Sequence, residues 1–123
     1  MKIIATIPIK LISKRIKGKN FKIVAKKPLY RHLLDKLPYT NFDEIYIDSD
    51  SSEIKNYSFT KNFKFIERLP RLSKDNANGN DLLNYHSSII DADIYFQLFV
   101  TAPLLSIKTI NKCINILKNT KKK

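Results

Sequence analysis

A chain of 123 residues that is 43% hydrophobic and 28% charged has the size of one domain with an ordinary core. Its 23 Lys plus Arg against 11 Asp plus Glu give a formal net charge of +12, which fits a polyanionic partner or, the preferred reading for the chain as a whole, a lysine-coated solvated surface. Cys113 is the only cysteine, which excludes a disulfide framework and a thiolate metal site; no apolar run reaches membrane-spanning or secretory-leader length, so the cytoplasm is the expected compartment.

Ile3–Ile7 is an apolar run short enough for a buried strand. It leads into Ile7–Asn20, read IPIKLISKRIKGKN, which carries Lys10, Ser13, Lys14, Arg15, Lys17 and Lys19 and no acidic residue. A strand ending in a cationic loop is how α/β proteins hold phosphates at the carboxyl edge of a sheet. The glycines of a Walker-type loop are missing, so anion binding falls to side chains as well as backbone amides. Several ammonium groups in one loop repel each other, and an anionic ligand relieves that cost. Lys14 and Lys19 flank the turn at Gly18 and are placed to bracket a triphosphate, with Ser13 offering a hydroxyl donor. Lys17, Lys22, Lys26 and Lys27 are read as solvated lysines.

Pro28–Leu37 predicts a helix with Leu29, Leu33, Leu34 and Leu37 on one face and Pro28 near its start. Phe42–Asp48 predicts a second strand. Asp50 or Ser51 caps the helix that follows, and Asp50 with Glu53 fits a capping box. Asp48 and Asp50 would suit a metal pair at a strand end, but a capping or loop-bracing role is preferred. Lys64–Ile66 predicts a third strand, followed by a polar loop through Asn78 in which Asp75 forms a turn. A helix capped by Asp81 runs to about Ile90, and Asp93–Val100 predicts an apolar fourth strand. Ser106 caps a last helix carrying Ile107, Ile110, Ile114 and Leu117 at helical spacing, with Cys113 as a small apolar filler. His32 and His86 lack a metal-ligand partner at helical spacing and are read as structural, so no metal ligand is assigned. Strand–helix alternation argues for a parallel sheet with helices on both faces. Residues 1–117 form the domain and 118–123 a frayed basic tail. Four parallel strands leave two edges, which such sheets normally bury, so the chain reads as the first half of a larger fold.

The segment IPIKLISKRIKGKN followed by KKPLY resembles the N-terminal signature of the cytidylyltransferases that activate acylneuraminate and 3-deoxy-octulosonate sugar acids. FDEIYIDSDSSEI at 42–54, IERLPRLSKDNANGNDLL at 66–83 and YFQLFVTAPL at 95–104 resemble later blocks of the same family in the same order. The resemblance implies a Rossmann-like nucleotide-sugar transferase sheet. It also implies a reaction in which a sugar acid hydroxyl attacks the α-phosphate of CTP, with pyrophosphate leaving under Mg²⁺ assistance. On the matching positions Lys10, Lys14 and Lys19 become the catalytic cations, Ser13 and Asn20 hold the triphosphate and ribose, and Arg68, Asn78, Gly79 and Asn80 lie near the cytosine. Lys10 replaces a family Arg, Leu11 and Ile12 replace small residues, and Phe99–Val100 and Leu105 replace a Gln-Pro and an Arg. The family's late metal-binding aspartates and dimer-forming segment have no counterpart here, so the expected partners are CTP, a sugar acid, and a second copy or a complementing C-terminal half. A truncated, non-catalytic nucleotide-binding remnant is the alternative. A basic nucleic-acid-binding module ranks third, because the aromatic residues fall mostly within the apolar strands.

Overall fold

The computed structural model describes residues 1–9, 23–67, 79–100 and 106–121. Its centre is β1 (Ile3–Ile9), in which every residue is buried. β1 pairs in parallel with β4 (Glu44–Ser49) on one side and β6 (Ile94–Gln97) on the other, and β5 (Lys64–Glu67) continues the sheet beyond β4. The order β5-β4-β1-β6 places the first strand in the interior, and an interior strand of a parallel sheet is covered on both faces. The run IIATIPI, apolar except for Thr6, meets that demand.

Strand periodicity then divides the core into two layers. Ala5, Ile7 and Ile9 pack with Ile47 against α1 (Leu29–Leu34), a 3₁₀ turn (Leu37–Tyr39) and α2 (Ser52–Thr60) through Tyr30, Leu33, Leu34, Leu37 and Ile54. Ile3 on the same face meets Ile110 and Ile114 of α4 (Ile107–Lys121). On the opposite face Ile4 and Ile66 pack with Ile90 and Tyr85 at the end of α3 (Gly79–Ile89). Helices therefore cover both faces, and each fully buried Ile or Leu contributes roughly 1.5–3 kcal/mol.

Several boundaries differ from the sequence reading. α1 stops at Leu34, not Leu37, because Pro38 has no amide hydrogen to donate to the Leu34 carbonyl in a continuing helix; the chain tightens into the 3₁₀ turn instead. β6 covers four residues only: Leu98 still donates to the Thr6 carbonyl at 3.0 Å, while Val100 is buried in the core without being part of the strand. Ser51, not Asp50, caps α2, its hydroxyl accepting from the Ile54 amide. Glu53 leaves the capping-box register and accepts from the buried Tyr30 hydroxyl at 2.9 Å. α4 is helical through Lys121, so Lys118–Lys121 belong to it and not to a tail, and Cys113 lies on its exposed side. β2 (Ile23–Val24) and β3 (Lys27–Pro28) form a small antiparallel hairpin that the sequence did not announce. Its turn holds Ala25 and Lys26 at φ 48° and 75°, a left-handed pair normally taken by Asn or Gly.

The amino edge of the sheet is clipped by carboxylates. Asp43 accepts from the Ile3 amide at 2.7 Å and Asp93 from the Lys2 amide at 2.6 Å. Glu44 lies between Lys2 and Lys64 at 2.6 Å from each.

Candidate functional site

In chain order, the main sheet runs third, second, first, fourth strand, so the connections diverge between β1 and β6. At such a switch point the loops leaving adjacent carboxyl ends part company and open a crevice, the usual ligand position in open α/β sheets. β1 reaches that edge at Ile9 and β6 at Gln97. The cationic segment thus springs from the strand bordering the crevice. Lys10, Ser13, Lys14, Lys19 and Asn20 lie outside the described residues, as do Arg68, Asn78 and residues 101–105. Gly79 and Asn80 are described, and they open α3 instead of forming a free turn.

What the structure does show is how the roots of these segments are held. Ile9 is paired with Ser49, whose buried hydroxyl donates to the Ile9 carbonyl at 2.7 Å and accepts from the Ser51 amide at 3.1 Å. One serine therefore joins the end of β1, the end of β4 and the start of α2.

The far root is β2, and a polar seam holds its hairpin to α1 and α2. His32 Nε2–H donates to the Val24 carbonyl at 2.5 Å. Lys27 donates to Asp35 at 3.0 Å, and Asp35 also accepts from the Tyr57 hydroxyl, with Lys61 3.8 Å away. Arg31 lies 4.5 Å from the centroid of the Tyr57 ring, and Tyr30 meets that ring edge-on. Burial pushes the Asp35 carboxyl up, but the hydrogen bonds from Tyr57 and Lys27 outweigh it and leave the group below its ordinary value. Burial, then the bond to Asp35, raises the Tyr57 phenol to about 12.

One strand away from the switch point is a pair that local sequence patterns did not reveal. Asp48, one residue from the end of β4, meets His86 of α3 at 2.5 Å between Oδ2 and Nε2, both side chains being completely buried. A carboxylate only accepts, so Nε2 carries the hydrogen. Asp48 thus sits inside a strand with a buried partner on α3, a contact that the capping or loop-bracing expectation did not include. The readable signal is the strand itself. β4 is flanked on both sides, and an Asp within such a strand needs a buried donor.

Among the described residues no three His, Cys, Asp or Glu side chains converge to hold a metal ion. Asp48 accepts from His86, and the described residues do not by themselves fit a Mg²⁺ site. A cavity of about 260 Å³ lined by Leu37, Phe42, Glu44, Lys61 and Phe63 opens at the amino side of β4, at the opposite edge from the switch point.

The family model described as Cytidylyltransferase matches residues 4–123. An N-acylneuraminate cytidylyltransferase of Streptococcus agalactiae serotype III (strain NEM316) is 32% identical over 108 residues, covering 85% of this chain and 26% of the relative. Among solved structures the chain is similar to a CMP:2-keto-3-deoxy-manno-octonic acid synthetase complexed with CTP. The TM-score is 0.75 at 18% identity, over 97% of this chain and 48% of the other. It is also similar to a cytidylyltransferase from Leptospira borgpetersenii serovar Hardjo-bovis (strain JB197), with TM-score 0.70 and 16% identity over 94% and 48% of the two chains. Rv0371c of Mycobacterium tuberculosis H37Rv, solved in complex with manganese, has TM-score 0.68 at 10% identity over 94% of this chain and 59% of the other. The chain thus spans about a quarter of the curated relative and about half of the first two of these solved structures.

Proposed function

The chain belongs to the cytidylyltransferase family, and from that premise we propose that it binds CTP at the carboxyl edge of its sheet and serves CMP transfer to a sugar acid. The observation that carries this reading is the family match over residues 4–123 on a sheet whose switch point lies where the cationic segment begins. In the reaction an oxygen of the sugar acid forms a bond to the α-phosphorus of CTP, the bond to the pyrophosphate oxygen breaks, and the sugar hydroxyl gives up its proton. Little covalent chemistry falls to the protein; alignment and charge neutralisation are its work.

In this reading Lys10, Lys14 and Lys19 neutralise the triphosphate, and Ser13 and Asn20 hydrogen-bond the phosphates and ribose. Arg68, Asn78, Gly79 and Asn80 face the cytosine, where the missing side chain at Gly79 allows close backbone approach. Mg²⁺ would supply further neutralisation of the leaving pyrophosphate when bound. One observation favours a second reading, nucleotide binding without turnover. Phe99 takes the place of a family Gln, is 45% exposed, and offers no hydrogen bond to a sugar acid.

Calorimetry with CTP, alongside pyrophosphate release in the presence of sugar acids and Mg²⁺, separates these readings. Binding with release supports transfer, and binding without release supports the second reading. Salt-sensitive binding to RNA or DNA without CTP binding would sink both. Lys14→Ala and Lys19→Ala are each expected to weaken CTP binding about tenfold or more, the cost of a lost charge-assisted hydrogen bond. Unchanged affinity in both variants removes the cationic segment as the phosphate site.

A further inference from the structure

α3 begins at the carboxyl side of the sheet and ends toward the amino side, where Ile90 clusters with Ile4 and its carbonyl accepts from the hydroxyl of Tyr95, the partner of Ile4 in β6. Among its described side chains His86 is the one that is fully buried. His86 is level with Asp48, and only Ser49 remains of β4 beyond that point. Gly79 lies seven residues before His86, about 10 Å further along the helix axis at the standard rise per residue. The first two turns of α3 therefore project past the strand ends and form a wall beside the crevice. Within the described residues His86 Nδ1 has no hydrogen-bond partner, so the single bond from Nε2 to Asp48 fixes the ring's direction.

We propose that the buried Asp48–His86 pair is a positioning device that sets the height and angle of α3, and thereby places its opening residues Gly79 and Asn80 over the carboxyl edge. The consequence for function rests on the CTP reading: the pair tunes base recognition without touching the nucleotide. A hydrogen bond between two buried groups is directional where apolar contact is not, so it holds the projecting turns in one orientation.

Replacing both members together, Asp48→Leu with His86→Leu, leaves an apolar contact and no buried charge, which buried pairs often tolerate without unfolding. Amide hydrogen exchange is read at Leu83, Asn84 and Tyr85 of α3 and, as the control for folding, in β1 and β4. Protection in the two strands should persist while that of α3 falls about tenfold, with CTP affinity and preference for CTP over UTP falling alongside. Asp48→Asn keeps an acceptor for Nε2–H and should retain both properties, whereas Asp48→Leu, which fills the space without an acceptor, should lose them; equal behaviour of the two variants overturns the hydrogen-bond role. Unchanged α3 protection in the folded double variant overturns the proposal. If the double variant does not fold, His86→Gln, which redirects the donor, takes its place in the same two measurements: lowered α3 protection supports the positioning role, and unchanged protection overturns it. Loosened α3 in a chain whose unsubstituted form binds no CTP would overturn the nucleotide reading and leave the positioning role standing.

Discussion

The Ser51 hydroxyl accepts from the Ile54 amide, one of the backbone donors at the start of α2 that has no partner within the helix. Ser51→Ala should cost about 1 kcal/mol in urea unfolding, as lost N-caps do, and Asp50→Ala less, because Asp50 is not the cap. Glu44 has an equally local signature. Hydrogen bonds from Lys2 and Lys64 hold its carboxyl at about 2, below its ordinary 4.5. A depressed carboxylate contributes stability that is complete above its unfolded value and disappears as pH falls through the folded one. The urea midpoint should therefore decline between about pH 4.5 and 2, and Glu44→Gln should flatten that part of the profile. The effect is modest because both lysines are largely exposed.

At the scale of elements, what was legible depended on how far the cause lies from the residue in sequence. β1 is an apolar run of strand length, β4 and β5 set Ile and Phe between polar residues, and the existence of all three follows from the residues themselves. The β2–β3 hairpin was hidden because its turn uses Ala25 and Lys26 where the readable signal would be Asn-Gly. The seam of Lys27, Asp35, Tyr57 and Arg31 supplies the compensation, holding a turn that its own residues disfavour. Lys26→Gly should accordingly raise stability by up to roughly 1 kcal/mol, the left-handed penalty partly offset by the extra freedom of Gly in the unfolded chain. Thermal unfolding checks this, and a fall in stability would mean that Lys26 makes a contact worth more than the strain. The same distance argument explains Asp48 and His86. They are 38 residues apart, and only the stacking of α3 on β4 brings them together.

For the molecule as a whole, the formal net charge of +12 favours anionic ligands. If CTP binds at the switch point, its affinity should drop as salt rises from low to physiological strength, because exposed charges are screened beyond a Debye length of about 8–10 Å. Titrations across that range measure it, and a flat response would place the phosphates away from the lysines. The cationic segment was legible as charge, and that the strand preceding it borders the switch point required the strand order β5-β4-β1-β6. The carboxylate clips at Asp43 and Asp93 bear on how the protein is handled. They grip the chain where Met1 and Lys2 enter the sheet, and β1 then runs seven residues, about 23 Å, to the crevice. A tag or surface linker joined at Met1 leaves from the back of the molecule. Immobilised that way, the protein would present the carboxyl edge of its sheet to the solution, and ligand-binding measurements on a sensor surface should agree with those on the free chain.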